Sequence, residues 1–270
     1  MKERKNLMGG LLVTLGCSWV KGVGAQYVDG MTLEQYQEVT EKGYRELDTP
    51  YTFIHHLAER NNLELVNFGV GGSSNKKQFR KATEFFSSDE FKKYQDKYST
   101  IIVLWGITST ARTEVYNIHK KKFENLLYKA DHKGTKFILE HNRIMVENYY
   151  DHEIEVYLLT NQMKHWDDFF ELKGVKNMWF DILNHHDYTQ NFDNLCLNDG
   201  DGPRDLLSRI TTHKTKDKFH FSLWKTDCDR VKKGVFTKTL NPYSYHPTKK
   251  GHEKIFNLLD PYVKNLLRDS

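Results

Sequence analysis

Four short apolar runs, each ending in a polar or glycine-rich loop, most constrain what this sequence can fold into. They are Leu11–Leu15, Leu63–Asn67, Thr100–Trp105 and Gly174–Phe180. Apolar runs of this length read as buried strands. Between them lie longer stretches with helical spacing. Thr49-Pro50 reads as a helix start, with Phe53, Ile54, Leu57 and Ala58 on its buried face. A second helix is expected from about Asn75 to Tyr94. Residues 119–171 read as mostly helical from Ile154, Leu158, Leu159, Met163 and Trp166, with a short strand at Thr135–Leu139 left open. Alternation of strand and helix predicts an α/β fold, a three-layer α/β/α sandwich with a mostly parallel, doubly wound sheet.

In such sheets ligands bind beyond the carboxyl ends of the strands. Ser18, Gly69–Ser74, Gly106–Arg112 and Asp181 each directly follow a strand, so they are expected on one edge. No repeat or low-complexity linker divides the chain, which reads as one domain over residues 1–270. It carries a polar insertion at about 25–48, with a helix at Thr32–Lys42, and an irregular segment at about 185–245. A small helix is expected at Arg204–Ile210 and a final one at Thr248–Leu267.

Composition excludes several classes. Forty Lys and Arg face 36 Asp and Glu, a net charge of +4, too small to imply a nucleic-acid partner. The clusters Lys120–Lys122 and Lys249-Lys250 read as solvated helix faces. Cys17, Cys196 and Cys228 include no CxxC, so neither a disulfide framework nor a zinc site is indicated. His185-His186-Asp187 has no matching ligand cluster, so no metal is expected. The apolar stretch Leu7–Leu15 is broken by Gly9-Gly10 and is too short for a signal peptide or a membrane span. A cytoplasmic protein with no membrane partner is the expectation.

Two motifs at opposite ends carry the chemistry. Gly16-Cys17-Ser18-Trp19-Val20-Lys21-Gly22 closes the first strand, and His246-Pro247-Thr248-Lys249-Lys250-Gly251-His252 opens the last helix. A serine becomes a nucleophile when a base takes its proton, and that base need only be adjacent in space.

In order, these segments resemble the sequence blocks of the SGNH (GDSL-type) hydrolases. Gly16–Gly22 stands for Gly-Asp-Ser-x-x-x-Gly, with Ser18 as nucleophile. Asn67-Phe-Gly-Val-Gly-Gly-Ser-Ser74 stands for the second block, whose glycine N–H binds the oxyanion, and Gly72 matches it. Gly106-Ile107-Thr108-Ser109 replaces Gly-x-Asn-Asp, and Tyr243-Ser244-Tyr245-His246-Pro247 replaces Asp-x-x-His-Pro, with His246 as base. The resemblance implies a cofactor-independent serine esterase acting on a short acyl ester, such as acetyl, of a carbohydrate or small metabolite. It also implies an oxyanion site of Ser18, Gly72 and Thr108.

Cys17, Thr108, Ser109 and Tyr243 depart from the pattern. Cys17 replaces a carboxylate outside the catalytic groups. Thr108 exchanges an amide donor for a hydroxyl, at about 10²–10³ in rate if nothing substitutes. Tyr243 removes the acid that orients the imidazole, which costs on the order of 10⁴. Asp227, Asp229 and Asp181 are alternative orienting acids. Trp19, Arg112, His185 and His186 are candidate substrate contacts: Trp19 either stacks on a sugar or packs the insertion, and Arg112 either pairs with an anionic group or serves a structural ion pair. The altered positions leave a second reading, a non-catalytic member that binds glycans or builds a structure. The Cys17 and Thr108 pattern also resembles divergent members of tailed phages, where a virion-associated role would apply.

Overall fold

The computed structural model describes residues 8–28, 30–43, 50–127, 136–183, 186–197, 204–210, 239–240 and 246–268. Its centre is a parallel sheet of β1 (Met8–Leu15), β2 (Leu63–Asn67), β3 (Tyr98–Ile107) and β6 (Lys176–Asp181), in the order β2-β1-β3-β6. All three pairings are parallel, with Leu12 opposite Leu65 and Ile102, and Trp105 opposite Trp179. Helices cover both faces, which makes a three-layer α/β/α sandwich.

Side chains alternate between the faces, as the strand period requires. Leu12, Ile102, Leu104, Met178 and Phe180 pack under α3 (Phe53–Arg60), α8 (Leu206–Ile210) and α9 (Lys249–Arg268). Leu11, Val13, Leu15, Val103, Trp105 and Trp179 face the other way. They meet α4 (Asn75–Phe86), α5 (Asp89–Lys97) and α7 (His152–Lys173). Trp105 lies 5.0 Å from both Phe79 and Trp179, centroid to centroid. Burying side chains of this size contributes about 1.5–3 kcal/mol each.

Several elements depart from the sequence reading for local reasons. The helix expected to start at Thr49-Pro50 begins at Phe53, because Thr52 is the N-cap and its side chain accepts from His55 N. The helix expected over Asn75–Tyr94 is two helices. Ser87 and Ser88 hydroxyls donate to the Thr83 and Phe85 carbonyls, and Ser88 then caps α5. Gly174, read as the start of a strand, is the left-handed C-cap of α7 at φ 64°. Lys136–Leu139, within the segment left open as a strand, lies in α6 (Lys136–Asn148).

The largest difference is at residues 119–127, read as helical, which form the tip and second strand of an antiparallel hairpin of β4 (Arg112–Asn117) and β5 (Lys122–Leu127). The Lys120–Lys122 cluster therefore sits at a hairpin tip and not on a helix face. Cross-strand Tyr116 and Phe123 meet edge to face at 5.2 Å, and Arg80 of α4 lies 4.3 Å over Phe123 while bonding Glu114 through two nitrogens. These contacts come from a distant helix, so the local sequence did not show them. The expected insertion helix is present as α2 (Leu33–Gly43). No helix among the described residues is long and apolar enough to cross a membrane.

Candidate active site

β1 leaves the sheet through Gly16 and enters a single helical turn, α1 (Ser18–Lys21), closed by Gly22 at φ 88°. A Cβ at Gly16 would lie 2.4 Å from Val20 Cγ2, so this tight turn needs a glycine. It presents Ser18 at the carboxyl edge of β1, 7% exposed. The chain goes from β1 to β2 on one side and continues from β3 to β6 on the other. The carboxyl ends of β1 and β3 are therefore the point where the connections diverge, the place where such sheets bind ligands.

His246 stands just ahead of α9, on backbone held from several sides. Thr248 N donates to Thr239 O, and Thr248 Oγ1 and O accept from Gly251 N and His252 N. Gly24, at φ 95°, lies so close that a Cβ would stand 2.7 Å from His246 Cβ and 2.8 Å from Pro247 O. The result is a hydrogen bond of 2.7 Å between Ser18 Oγ and His246 Nε2, across 228 positions of sequence. A hydroxyl donating to an imidazole at this distance is placed to lose its proton as it attacks.

The loop after β2 forms a second side. Asn67 Oδ1 accepts from Thr14 Oγ1 at 2.9 Å and Gly69 N at 2.8 Å, tying β1 to that loop. A Cβ at Gly69 would fall 2.5 Å from Lys21 N, so the loop presses directly on α1. Gly72 follows in the left-handed region at φ 66°, exposed. Gln78 of α4 reaches back to accept from Gly16 N at 2.9 Å.

Thr108 follows β3, and its backbone is occupied. Thr108 N donates to Asn75 Oδ1 at 2.9 Å, and Asn75 Nδ2 donates to Thr108 O at 2.8 Å. Thr108 Oγ1 is buried with no hydrogen-bond partner among the described residues, so its hydroxyl proton is uncommitted but enclosed. Asn75 and Gln78 have no mark in the sequence as site-building residues, because each reaches a backbone 33 or 62 positions away, a link that periodicity does not carry.

The other sequence candidates separate. Asp181 is buried, and its carboxylate accepts from His186 N at 3.0 Å, contacts His186 Nδ1 at 2.9 Å and accepts from Tyr188 OH at 2.6 Å. None of its hydrogen bonds goes to His246. His186 is correspondingly turned onto Asp181 and 2% exposed, not open to a cleft. Burial raises the Tyr188 phenol well above its ordinary pKa. Trp19 is 2% exposed within the core under α3 and α9, so neither ring face is open to a sugar. Arg112 begins β4 with its Nη1 buried and unpartnered among the described residues. Asp227, Asp229 and His185 lie outside the described residues. Among the described residues no three His, Cys, Asp or Glu side chains gather as metal ligands.

Beneath His246, His252 is fully buried, stacked on Phe53 at 5.8 Å, and its Nδ1 accepts from Phe53 N at 3.4 Å. Burial first, then the nearby His246 and His56, lower its pKa to about 3. A neutral His252 adds no positive charge beneath the site.

No protein-family model matches the chain, and no curated protein matches it in sequence. Among solved structures it is similar to an acetyl xylan esterase from the rumen bacterium Butyrivibrio proteoclasticus, at 9% identity and a TM-score of 0.41. That alignment covers 96% of this chain and 64% of the esterase, so the chain spans under two thirds of that protein's length. It is also similar to a protein from Desulfitobacterium hafniense described as lipolytic and of the G-D-S-L family. Identity there is 12% and the TM-score 0.33, with 96% of this chain and 99% of the other covered.

Proposed function

We propose that the chain is a serine esterase that removes a short acyl group, such as acetyl, from a carbohydrate or small-metabolite ester. The observation that carries this reading is the 2.7 Å Ser18 Oγ–His246 Nε2 hydrogen bond at the carboxyl edge of a parallel sheet. Ser18 Oγ attacks the acyl carbonyl carbon while its proton passes to His246 Nε2, and the carbonyl electron pair moves onto oxygen. Collapse of that oxyanion breaks the ester bond, and the leaving alkoxide takes the proton from His246. Water then repeats the sequence on the acyl-Ser18, with His246 again as base. The backbone N–H groups of Ser18 and Gly72 are the proposed main-chain oxyanion donors.

The test is labelling with a fluorophosphonate probe, with Ser18→Ala and His246→Ala as controls and the adduct mapped by mass spectrometry. Labelling at Ser18 that is lost in both variants supports an activated nucleophile. A folded protein that stays unlabelled, and hydrolyses no acyl ester, overturns the reading.

A further inference from the structure

We infer that Asn125 on β5 is a catalytic residue that supplies the side-chain donor of the oxyanion site, in place of Thr108; the inference rests on the esterase reading. A tetrahedral intermediate places a full negative charge on the former carbonyl oxygen, so a site lacking a well-aimed donor loses about 10²–10³ in rate. The edge of β3 offers no open main-chain donor at Thr108 as folded. The Thr108 N–H is committed to Asn75 Oδ1, and the Thr108 hydroxyl is enclosed. Freeing the N–H would break a buried pair of amide hydrogen bonds that join α4 to β3.

The hairpin brings a replacement to the other side of the same loop. Asn125 pairs in register with Glu114, so both side chains point to one face of the hairpin. That face is fixed onto α4, because Glu114 receives Arg80 Nε at 2.9 Å and Nη2 at 3.0 Å, and Phe123 lies beneath the Arg80 guanidinium. In this position Asn125 Nδ2 stands 3.9 Å from where a Gly72 Cβ would be, with no other heavy atom within 4 Å of that point. Gly72 is the glycine whose N–H is the proposed main-chain donor, so the exposed Asn125 amide stands beside the loop that carries that donor. Among the described residues the Asn125 side chain makes no hydrogen bond, which leaves both of its N–H groups available. A carboxamide is also the neutral donor this chemistry needs, since it stabilises negative charge without gaining or losing a proton.

The experiment measures ester turnover and the rate of fluorophosphonate labelling at Ser18 for Asn125→Ala, Asn125→Asp and Thr108→Val, with thermal melts of each. Expected is a fall in kcat and labelling rate on the order of 10²–10³ for Asn125→Ala, with KM within a few-fold. Asn125→Asp, which keeps the shape and replaces the donor with a carboxylate, should be at least as slow. Thr108→Val should stay within a few-fold of the parent. Parent-like turnover in folded Asn125→Ala, or a loss in Thr108→Val equal to that in Asn125→Ala, overturns the assignment while Ser18 is still labelled. An unlabelled parent protein overturns the esterase reading, and the Asn125 role falls with it.

Discussion

Gly24→Ala tests the proposed Ser18–His246 pair through steric displacement, without altering either residue. The added Cβ would stand 2.7 Å from His246 Cβ and 2.8 Å from Pro247 O. Carbon atoms rest at about 3.5–4.0 Å, so His246 has to retreat by about 1 Å. Pro247 cannot yield easily, because Leu240 bridges it and Thr248 N is bonded to Thr239 O. A retreat of that size stretches the 2.7 Å bond to Ser18 beyond the range of about 2.6–3.2 Å in which a base takes a proton. A displacement of about 1 Å costs roughly 10²-fold in rate. The φ of 95° adds a strain of about 1–2 kcal/mol for any residue with a Cβ. Gly30→Ala isolates that strain, since Gly30 has φ 91° and nothing within 4 Å of its added carbon. The assay is the rate of fluorophosphonate labelling at Ser18, alongside melting temperature, for both variants. Gly24→Ala should label about 100-fold more slowly than Gly30→Ala. Equal labelling rates and equal melting shifts would refute the argument that Gly24 sets the position of the base.

Three further outcomes follow from buried polar groups. Burial lowers the His252 pKa to about 3 from an unfolded value of about 6.5. Its contribution is therefore full above about pH 6.5 and lost as pH falls towards 3, at up to about 1.4 kcal/mol per pH unit. His252→Asn should flatten the acid limb of stability against pH, and parallel curves for the two proteins would contradict this. Asp181→Asn weakens the acceptor of three donors and should cost about 2–3 kcal/mol in denaturant unfolding, with Ser18 labelling within a few-fold. A labelling loss near 10⁴ would instead make Asp181 act on the imidazole. Arg80→Ala strands Glu114, whose side chain is 6% exposed, and should cost about 1–3 kcal/mol while slowing acylation through the loosened hairpin. An unchanged melting temperature would show that the hairpin does not depend on this anchor.

Cues local in sequence were legible. The run Leu63–Asn67 is β2 residue for residue, the face Phe53, Ile54, Leu57 and Ala58 is buried, and Gly69 and Gly72 form a strand-to-helix loop. These rest on periodicity, capping and glycine conformation, each set within a few residues. The motif order also points to Ser18 and His246 as a pair, and they meet at 2.7 Å. The lysine run at 120–122 suits a solvated helix, whereas pairing with β4 and the anchor from Arg80 make this segment a hairpin. Trp19 could not be assigned, since the same sequence suits an exposed ring or a core one. Only packing under α3 and α9 decided between them.

By itself, then, the sequence determined the α/β class and placed Ser18, the proposed nucleophile, after the first strand and His246, the proposed base, ahead of the last helix. The tertiary structure alone decided that the Thr108 backbone is bonded to Asn75, that Asp181 contacts His186, and that Asn125 stands beside Gly72. Strand and helix signals arise from neighbours along the chain. Hydrogen-bond partnership depends on which donors and acceptors meet in space, and no local pattern encodes a meeting across 33 or 228 positions.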